Sequence, residues 1–254
     1  YAPLGEYVTI ATPVASSLQP EESQNMNLGF IIRPDERSQI TFDYFSIAFT
    51  NGFGTEAATC PCAEIVYVTP GDPNSGIARI ETELINGDDV DISGLDFEGT
   101  VGFDAGNTVM QFSYGGTYLT QYDVAGAISG GTYDALGKFN TRSADSPINL
   151  RSVPELQLYL GLGIEIDIHS INMYVRHVGE YDVPDTITAA YQFIDKIDSM
   201  NTLDFNYSVR LADDRVRINL SAYNLLGEDP PLAPSEPVSY THLTLTTSCC
   251  VYIS

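Results

Sequence analysis

Basic residues are scarce in this sequence, which has 11 lysines and arginines against 34 aspartates and glutamates among 254 residues. A protein that binds nucleic acid needs positive side chains to neutralise phosphates, so this balance excludes nucleic acid as a partner. Long apolar runs are also lacking, since none reaches the roughly 18 residues that a transmembrane helix needs. That absence excludes a membrane-spanning helix but not a transmembrane β-barrel, whose strands are short and alternate in polarity.

Tryptophan is absent and methionine is rare, whereas 16 tyrosines and 11 phenylalanines favour strands over helices. Two successive strands are predicted between Asn201 and Tyr223. Apolar residues alternate with polar ones up to Leu211, and the alternation resumes at Val216 after a polar turn. Strict alternation on both sides of a four-residue turn predicts an antiparallel hairpin. Each strand has about ten residues, the length with which a tilted strand crosses a bilayer.

The same alternation recurs in six further segments, at residues 25–33, 39–44, 95–103, 110–118, 155–165 and 170–176. Their connections alternate in length. Short turns lie at residues 34–37, 104–107, 166–168 and 212–215, and long ones at 50–89, 122–150 and 178–200. In an up-and-down meander this sorts tight turns to one rim and long loops to the other, which a soluble sandwich has no reason to do. We predict an all-β fold, an antiparallel up-and-down transmembrane β-barrel fragment with about eight spanning strands, short periplasmic turns and long extracellular loops.

Three short motifs carry a resemblance to a known family. Leu18–Ser23 leads into a strand, Ser93–Asp96 opens another, and the last hairpin closes with Asn224–Leu226 followed by an acidic stretch and Pro230–Pro231. In order and spacing these pieces resemble TonB-dependent outer-membrane receptors over residues 18 to 235. Leu226 stands where the family usually has phenylalanine.

The resemblance implies that residues 1–237 are the C-terminal portion of a receptor barrel that closes at roughly 22 strands around a plug. The chain begins at Tyr1 without a leader, and we expect a fragment that lacks the plug and the first strands. The implied function is uptake of a scarce bulky nutrient, such as a ferric siderophore, through the bacterial outer membrane. The implied partners are outer-membrane lipid, a small-molecule or metal-chelate ligand, and the TonB–ExbB–ExbD system acting through the missing plug; no cofactor is implied.

Polar residues that alternate with the apolar ones along each strand face the opposite side of the sheet, where they would line a water-filled lumen. The candidates are Asp43, Asp96, Glu98, Gln157, Arg176, Asp204, Arg210 and Arg217. The simpler interpretation is that they only solvate the lumen. By resemblance, ligands are held mainly by outer loops and the plug, so we also consider a set in the third long loop. That set is Tyr181, Asp182, Asp185, Tyr191 and Phe193.

Cys60 and Cys62 flank a single proline in the first long loop. Zinc needs four ligands, and no nearby cysteine or histidine completes a set. A one-residue spacer makes a disulfide a small, strained ring, and in the family the loop cysteines sit farther apart. A disulfide in an oxidising loop is the favoured interpretation, and a metal clip or a redox pair are the alternatives.

The end of the chain departs from the pattern. The run Val238–Leu245 resembles translated sequencing-adapter DNA, so we expect residues 238–254 to be a non-native tail. The alternative is a divergent last strand, because the run is β-prone.

Catalytic motifs are lacking, and we expect no enzyme activity. Asp89–Gly94 matches the start of a calcium loop, but the twelfth position is Thr100 rather than a bidentate carboxylate, so a strand entrance is preferred. Two other functions remain open at this point: a passive porin-like barrel, and a secreted all-β adhesin or carbohydrate-binding module.

Overall fold

The computed structural model describes most of the chain. The described residues are 9–12, 17–55, 64–126, 130–139, 152–184, 194–213, 215–232 and 248–253. Cys60 and Cys62 lie outside them, so the disulfide stays a prediction.

Strands dominate the described residues. In chain order they are β1 (Thr9–Ala11), β2 (Glu22–Asp35), β3 (Ser38–Thr50), β4 (Phe53–Thr55), β5 (Glu64–Tyr67), β6 (Ile77–Glu81), β7 (Leu84–Asn86), β8 (Asp88–Ala105), β9 (Thr108–Gly126), β10 (Gly131–Asp134), β11 (Leu156–Ile166), β12 (His169–Val178), β13 (Tyr181–Asp182), β14 (Lys196–Ile197), β15 (Met200–Leu211), β16 (Val216–Tyr223) and β17 (Ser248–Ile253). A single 3₁₀ turn at Pro73–Ser75 is the one helical element in these ranges.

One ten-stranded sheet contains all the long strands. Its order is β17-β16-β15-β12-β11-β9-β8-β3-β2, with β10 paired to β9. Every pairing in it is antiparallel, so the long strands form an up-and-down meander. The predicted all-β antiparallel fold and its eight spanning strands are confirmed. The spanning strands are β2, β3, β8, β9, β11, β12, β15 and β16. Within the described residues the sheet does not close, and its edges are β2 and β17.

The two faces of this sheet differ in polarity. Leu28, Tyr44, Leu95 and Tyr118 lie directly opposite one another on β2, β3, β8 and β9, so they share one face. No second layer of described residues covers this face. Leu28 is 72% exposed and Leu160, in the middle of β11, is 41% exposed. An uncovered, contiguous apolar face of this kind is the surface that a transmembrane barrel turns to lipid.

Tight turns connect the strands at one rim, which we call the tight-turn rim. Gly106, in the β8–β9 turn, has a φ of 69°, a left-handed conformation that glycine adopts without steric cost. Side chains join neighbouring turns. Arg37 forms an ion pair with Asp104, and the Asn107 amide donates to the Asp167 carboxylate at 3.1 Å. The Arg210 guanidinium donates to the Asp167 carbonyl at 3.1 Å, so all four turns are linked in one chain.

The opposite, long-connection rim holds most of the buried apolar side chains. Strands β8 and β9 extend beyond their other neighbours, and β10 folds back on β9. Tyr122, Val124 and Ala135 form a small core there, and Val124 is fully buried. Partly buried apolar residues of the same region pack on it. They are Val90, Ile92, Tyr133, Leu136 and Val153.

Asn86 joins three backbone segments at the long-connection rim. Its amide donates to the carbonyls of Gln19 at 2.9 Å and Asn51 at 2.8 Å, and its side-chain oxygen accepts from the Gln19 amide at 2.6 Å. The asparagine therefore holds the entry to β2 beside the exit from β3. It stabilises a connection that the small strands β4 to β7 also shape.

Some predicted boundaries were wrong. The connection expected at 50–89 runs from residue 51 to 87, within two residues of the prediction, whereas the loop expected at 122–150 is shorter, because β9 continues to Gly126. A register shift interrupts the alternation in β9: Gln121 lies opposite Ser93 and Leu119 opposite Gly94, so Thr120 is an extra residue with no residue opposite it. At Asp89–Gly94 the preferred strand, rather than a calcium loop, is confirmed.

The end of the chain contributes an edge strand. Residues 248–253 pair antiparallel with β16, from Ser248 opposite Tyr223 to Ile253 opposite Ile218. Backbone pairing does not test whether these residues belong to the natural protein. The non-native tail at 238–254 therefore stays a prediction.

Candidate functional site on the polar face

Two adjacent rows of cross-strand neighbours organise the polar face. In the first row Asp43 lies opposite Asp96, Asp96 opposite Thr117, and Thr117 opposite Gln157. In the second row Glu98, Gly115, Tyr159 and Arg176 follow one another across β8, β9, β11 and β12. Because directly opposite residues share a face, five of the eight candidate residues come together here. These five are Asp43, Asp96, Glu98, Gln157 and Arg176.

These rows line a cavity of about 580 Å³, which we call the wall pocket. Consecutive residues of β8, β9, β11 and β12 contribute to it, so its floor is the backbone of these strands. Gly115 adds no side chain of its own to that floor. On β11 and β12 the pocket lies near the long-connection rim, since Gln157 is the second residue of β11 and Val178 the last of β12, whereas on β8 and β9 it lies at mid-strand.

Tyr159 forms a platform in the pocket. A Cβ added at Gly115 would lie 2.6 to 2.8 Å from the far edge of the Tyr159 ring and its hydroxyl, so the ring lies directly over the glycine. The side chain is nevertheless 40% exposed. Sequence reasoning placed Tyr159 on the polar phase but gave it no role. The signal that was missing is the β9–β11 register, which places a glycine opposite this tyrosine.

Asp43 and Asp96 are like charges on directly opposite residues, which is an unfavourable arrangement. Their carboxylates turn apart. Asp96 accepts a hydrogen bond from the Thr117 hydroxyl at 2.5 Å, whereas Asp43 leans over Gly29, where a Cβ would lie 1.8 Å from its oxygen. The glycine in β2 therefore makes room for a carboxylate that would otherwise face its neighbour.

Arg176 forms an ion pair with Asp204, with 2.6 Å between Nη1 and Oδ2. The Asp204 side chain is only 10% exposed and also accepts from the Asn224 backbone amide at 3.0 Å. Asn224 in turn holds Glu228 through two hydrogen bonds, at 2.9 and 3.0 Å. The Asn-Leu-Leu motif thus ends β16 and is tied to the wall pocket through Asp204. Asp204 has a structural role that the sequence pattern did not reveal.

Arg210 and Arg217 lie outside the wall pocket. They face each other across β15 and β16 next to the tight-turn rim, where Arg210 contacts the Asp167 carbonyl. The structure therefore divides the candidates into a pocket group near one rim and an arginine pair near the other.

The loop candidates Tyr181 and Asp182 form β13 and join two long connections. The Asp182 amide donates to the Gly137 carbonyl at 2.9 Å, and the Phe139 amide donates to the Asp182 carbonyl at 2.8 Å. Burial raises the pKa of the Tyr181 phenol. Asp185, Tyr191 and Phe193 lie outside the described residues.

Neither a metal cluster nor a spanning helix occurs in the described ranges. Within them, no three His, Cys, Asp or Glu side chains are arranged to hold a metal ion. Their one helical element is also far too short and polar to cross a membrane.

Residues 2–225 match the family profile described as TonB dependent receptor-like, beta-barrel. The chain belongs to this family. As a TonB-dependent receptor barrel it lies in the outer membrane, which excludes the secreted adhesin or carbohydrate-binding module. A comparison with curated proteins found no significant match.

Several solved structures share this fold at low sequence identity. The outer membrane transporter YddB from Escherichia coli is 11% identical, with a TM-score of 0.58, over 97% of this chain and 33% of its own. The FrpB iron transporter from Neisseria meningitidis (F3-3 variant) is 12% identical, with a TM-score of 0.52, over 88% and 29%. A ferric enterobactin receptor variant from Pseudomonas aeruginosa in complex with enterobactin is 15% identical, with a TM-score of 0.54, over 82% and 26%. The chain thus spans a third or less of the length of these proteins.

Proposed function

We propose that this chain is the C-terminal part of the barrel of an active outer-membrane transporter. The complete receptor that contains it imports a scarce, bulky nutrient, such as a ferric siderophore. The energy comes from the TonB–ExbB–ExbD system through a plug domain. The family membership supports this proposal, and so do the names of similar structures, which include an iron transporter and a siderophore receptor from Acinetobacter baumannii.

The observation that carries the proposal is the open, single-layered wall. Eight spanning strands form one sheet without closing it in the described residues. An eight-stranded barrel would be filled by its own side chains, whereas barrels of roughly 22 strands enclose a plugged lumen. A polar face with a cavity of about 580 Å³ fits a wide lumen better than a filled one.

Energy dependence distinguishes this function from a passive porin. The complete receptor is expressed in an iron-starved strain that lacks its own receptors, with and without a functional TonB protein. A panel of radiolabelled ferric siderophores is supplied at concentrations too low for measurable uptake by passive diffusion. We expect accumulation of at least one chelate only when TonB is functional. Equal uptake in both strains would favour the passive porin.

A further inference from the structure

The wall pocket has more negative charge than its basic residues can balance. Three carboxylates, of Asp43, Asp96 and Glu98, line it against the guanidinium of Arg176 and the imidazole of His177. Arg176 is already paired with Asp204, at 2.6 Å. No salt bridge of the described residues involves any of the three pocket carboxylates. The pocket therefore repels anions and attracts cations. The net charge of −23 on the whole chain adds a long-range attraction of the same sign.

Tyr159 adds a second feature that favours a cation. Its ring lies over Gly115, and Glu98 is the next residue beyond that glycine in the same row. The hydroxyl end of the ring thus points toward the strand that carries Glu98. An exposed aromatic face beside a carboxylate is an arrangement that binds amine or guanidinium groups, because the ring quadrupole and the negative charge attract the same cation.

We propose that the wall pocket binds the protonated amine of a cationic solute. Glu98 and Asp96 are the anionic partners, and the Tyr159 ring is the platform against which the amine-bearing ring of the solute packs. Thr117 holds the Asp96 carboxylate in place through its hydroxyl. The β11 and β12 side of the pocket lies near the long-connection rim, so a solute can reach the pocket from that rim. This inference rests on the proposed function, since it names a substrate class for the same transporter.

Binding to the purified complete receptor tests the charge preference. The probes are a glucosamine tetramer, its N-acetylated counterpart and a galacturonate tetramer, titrated calorimetrically in detergent at mildly acidic pH. They have the same length and are cationic, neutral and anionic. We expect the amine tetramer to bind about tenfold more tightly than the neutral one, as a hydrogen bond to a charged group provides, and the anionic tetramer to bind least.

Variants assign the preference to the pocket. Glu98→Gln should weaken binding of the amine tetramer about tenfold and leave the neutral tetramer unchanged, whereas Glu98→Asp should keep most of the preference. Tyr159→Phe should bind like the wild type, and Tyr159→Leu about fivefold more weakly. The matched control is Glu165→Gln, which removes an exposed carboxylate from the polar phase of β11, about 20 Å from Tyr159 at 3.4 Å per residue.

Equal affinity for the three probes, or binding of none, would overturn the proposal. So would a Glu98→Gln variant that melts at lower temperature but keeps its charge preference, because the carboxylate would then serve a contact inside the receptor. Failure of this inference can be distinguished from failure of the proposed function, because binding to the purified receptor does not require TonB. A charge preference with TonB-independent uptake contradicts the proposed function alone, and TonB-dependent uptake without a charge preference contradicts this inference alone.

Discussion

At the tight-turn rim, three of the four connections are two residues long, and side chains join each turn to its neighbour. At the long-connection rim the chain runs through small sheets, a buried core around Val124, and the Asn86 contacts before it returns to the wall. The first rim needs no core, because its turns follow directly from strand pairing. The second must bury side chains to order its longer connections. Stability at the two rims therefore has different sources, which substitution can separate.

The largest expected effect is at the long-connection core. Val124→Asp buries a charge at a position with no exposure, and should cost about 4 kcal/mol or more. Hydrogen exchange should accelerate in residues 119–126 and 131–136 and stay slow at the tight-turn rim. Val68→Asp is the matched control, since Val68 belongs to the same rim but is 64% exposed. Equal loss of protection at both rims would contradict their independence.

A second pair of substitutions compares the middle of a spanning strand with a strand end at the tight-turn rim. Leu160→Arg, at mid-strand on the apolar face, should cost about 2–4 kcal/mol in the bilayer, and Leu211→Arg, next to the tight-turn rim, about 0–1. The two leucines are similarly exposed, at 41% and 40%. Unfolding of the complete receptor in urea and lipid vesicles provides the values. Equal costs at both positions would mean that the tight turns are not at the membrane surface.

Asn86→Ala tests the hydrogen bonds of the long-connection rim. It removes three contacts to the backbone of Gln19 and Asn51 and should cost about 1–3 kcal/mol, because backbone groups lose their partner. Protease sensitivity of the segment between β3 and β8 should rise. Asn74→Ala, an exposed residue of the same connection, should leave the cleavage pattern unchanged. If both variants behave alike, Asn86 does not organise this rim.

The smallest effect concerns a hydrogen bond at the tight-turn rim. The backbone amide of Arg37 donates to the Asp35 carboxylate at 2.8 Å. Asp35→Asn keeps an acceptor but removes its charge, so a weaker neutral hydrogen bond replaces a charge-assisted one, and the urea midpoint of unfolding should fall slightly. Glu36→Gln removes a charge from the same turn and serves as control; an equal fall in both variants would contradict the assignment.

The residues that form strands, and the face on which each side chain lies, were predictable because the alternation of polar and apolar residues indicates both. Leu156 to Glu165 was predicted as a strand, and β11 runs from Leu156 to Ile166. The end of β9 at Gly126 was not predictable, because the extra residue Thr120 shifts the alternation of that strand by one position.

The wall pocket was predictable only in part. The phase of each strand indicates that Glu98, Tyr159 and Arg176 share a face, but not that they share a row. Rows depend on register, and register depends on turn geometry that a period of two does not contain. For the same reason Arg210 and Arg217 were grouped with residues that lie near the opposite rim.

The most direct test of the two-rim account is cysteine labelling of intact cells that express the complete receptor. In a background without Cys60, Cys62, Cys249 and Cys250, Asn74→Cys and Asp213→Cys each place one thiol at the long-connection and tight-turn rims. A membrane-impermeant maleimide should label Asn74→Cys in intact cells, and Asp213→Cys only after the outer membrane is permeabilised. Labelling of Asp213→Cys but not Asn74→Cys in intact cells, or equal labelling of both, would contradict the orientation on which the account depends.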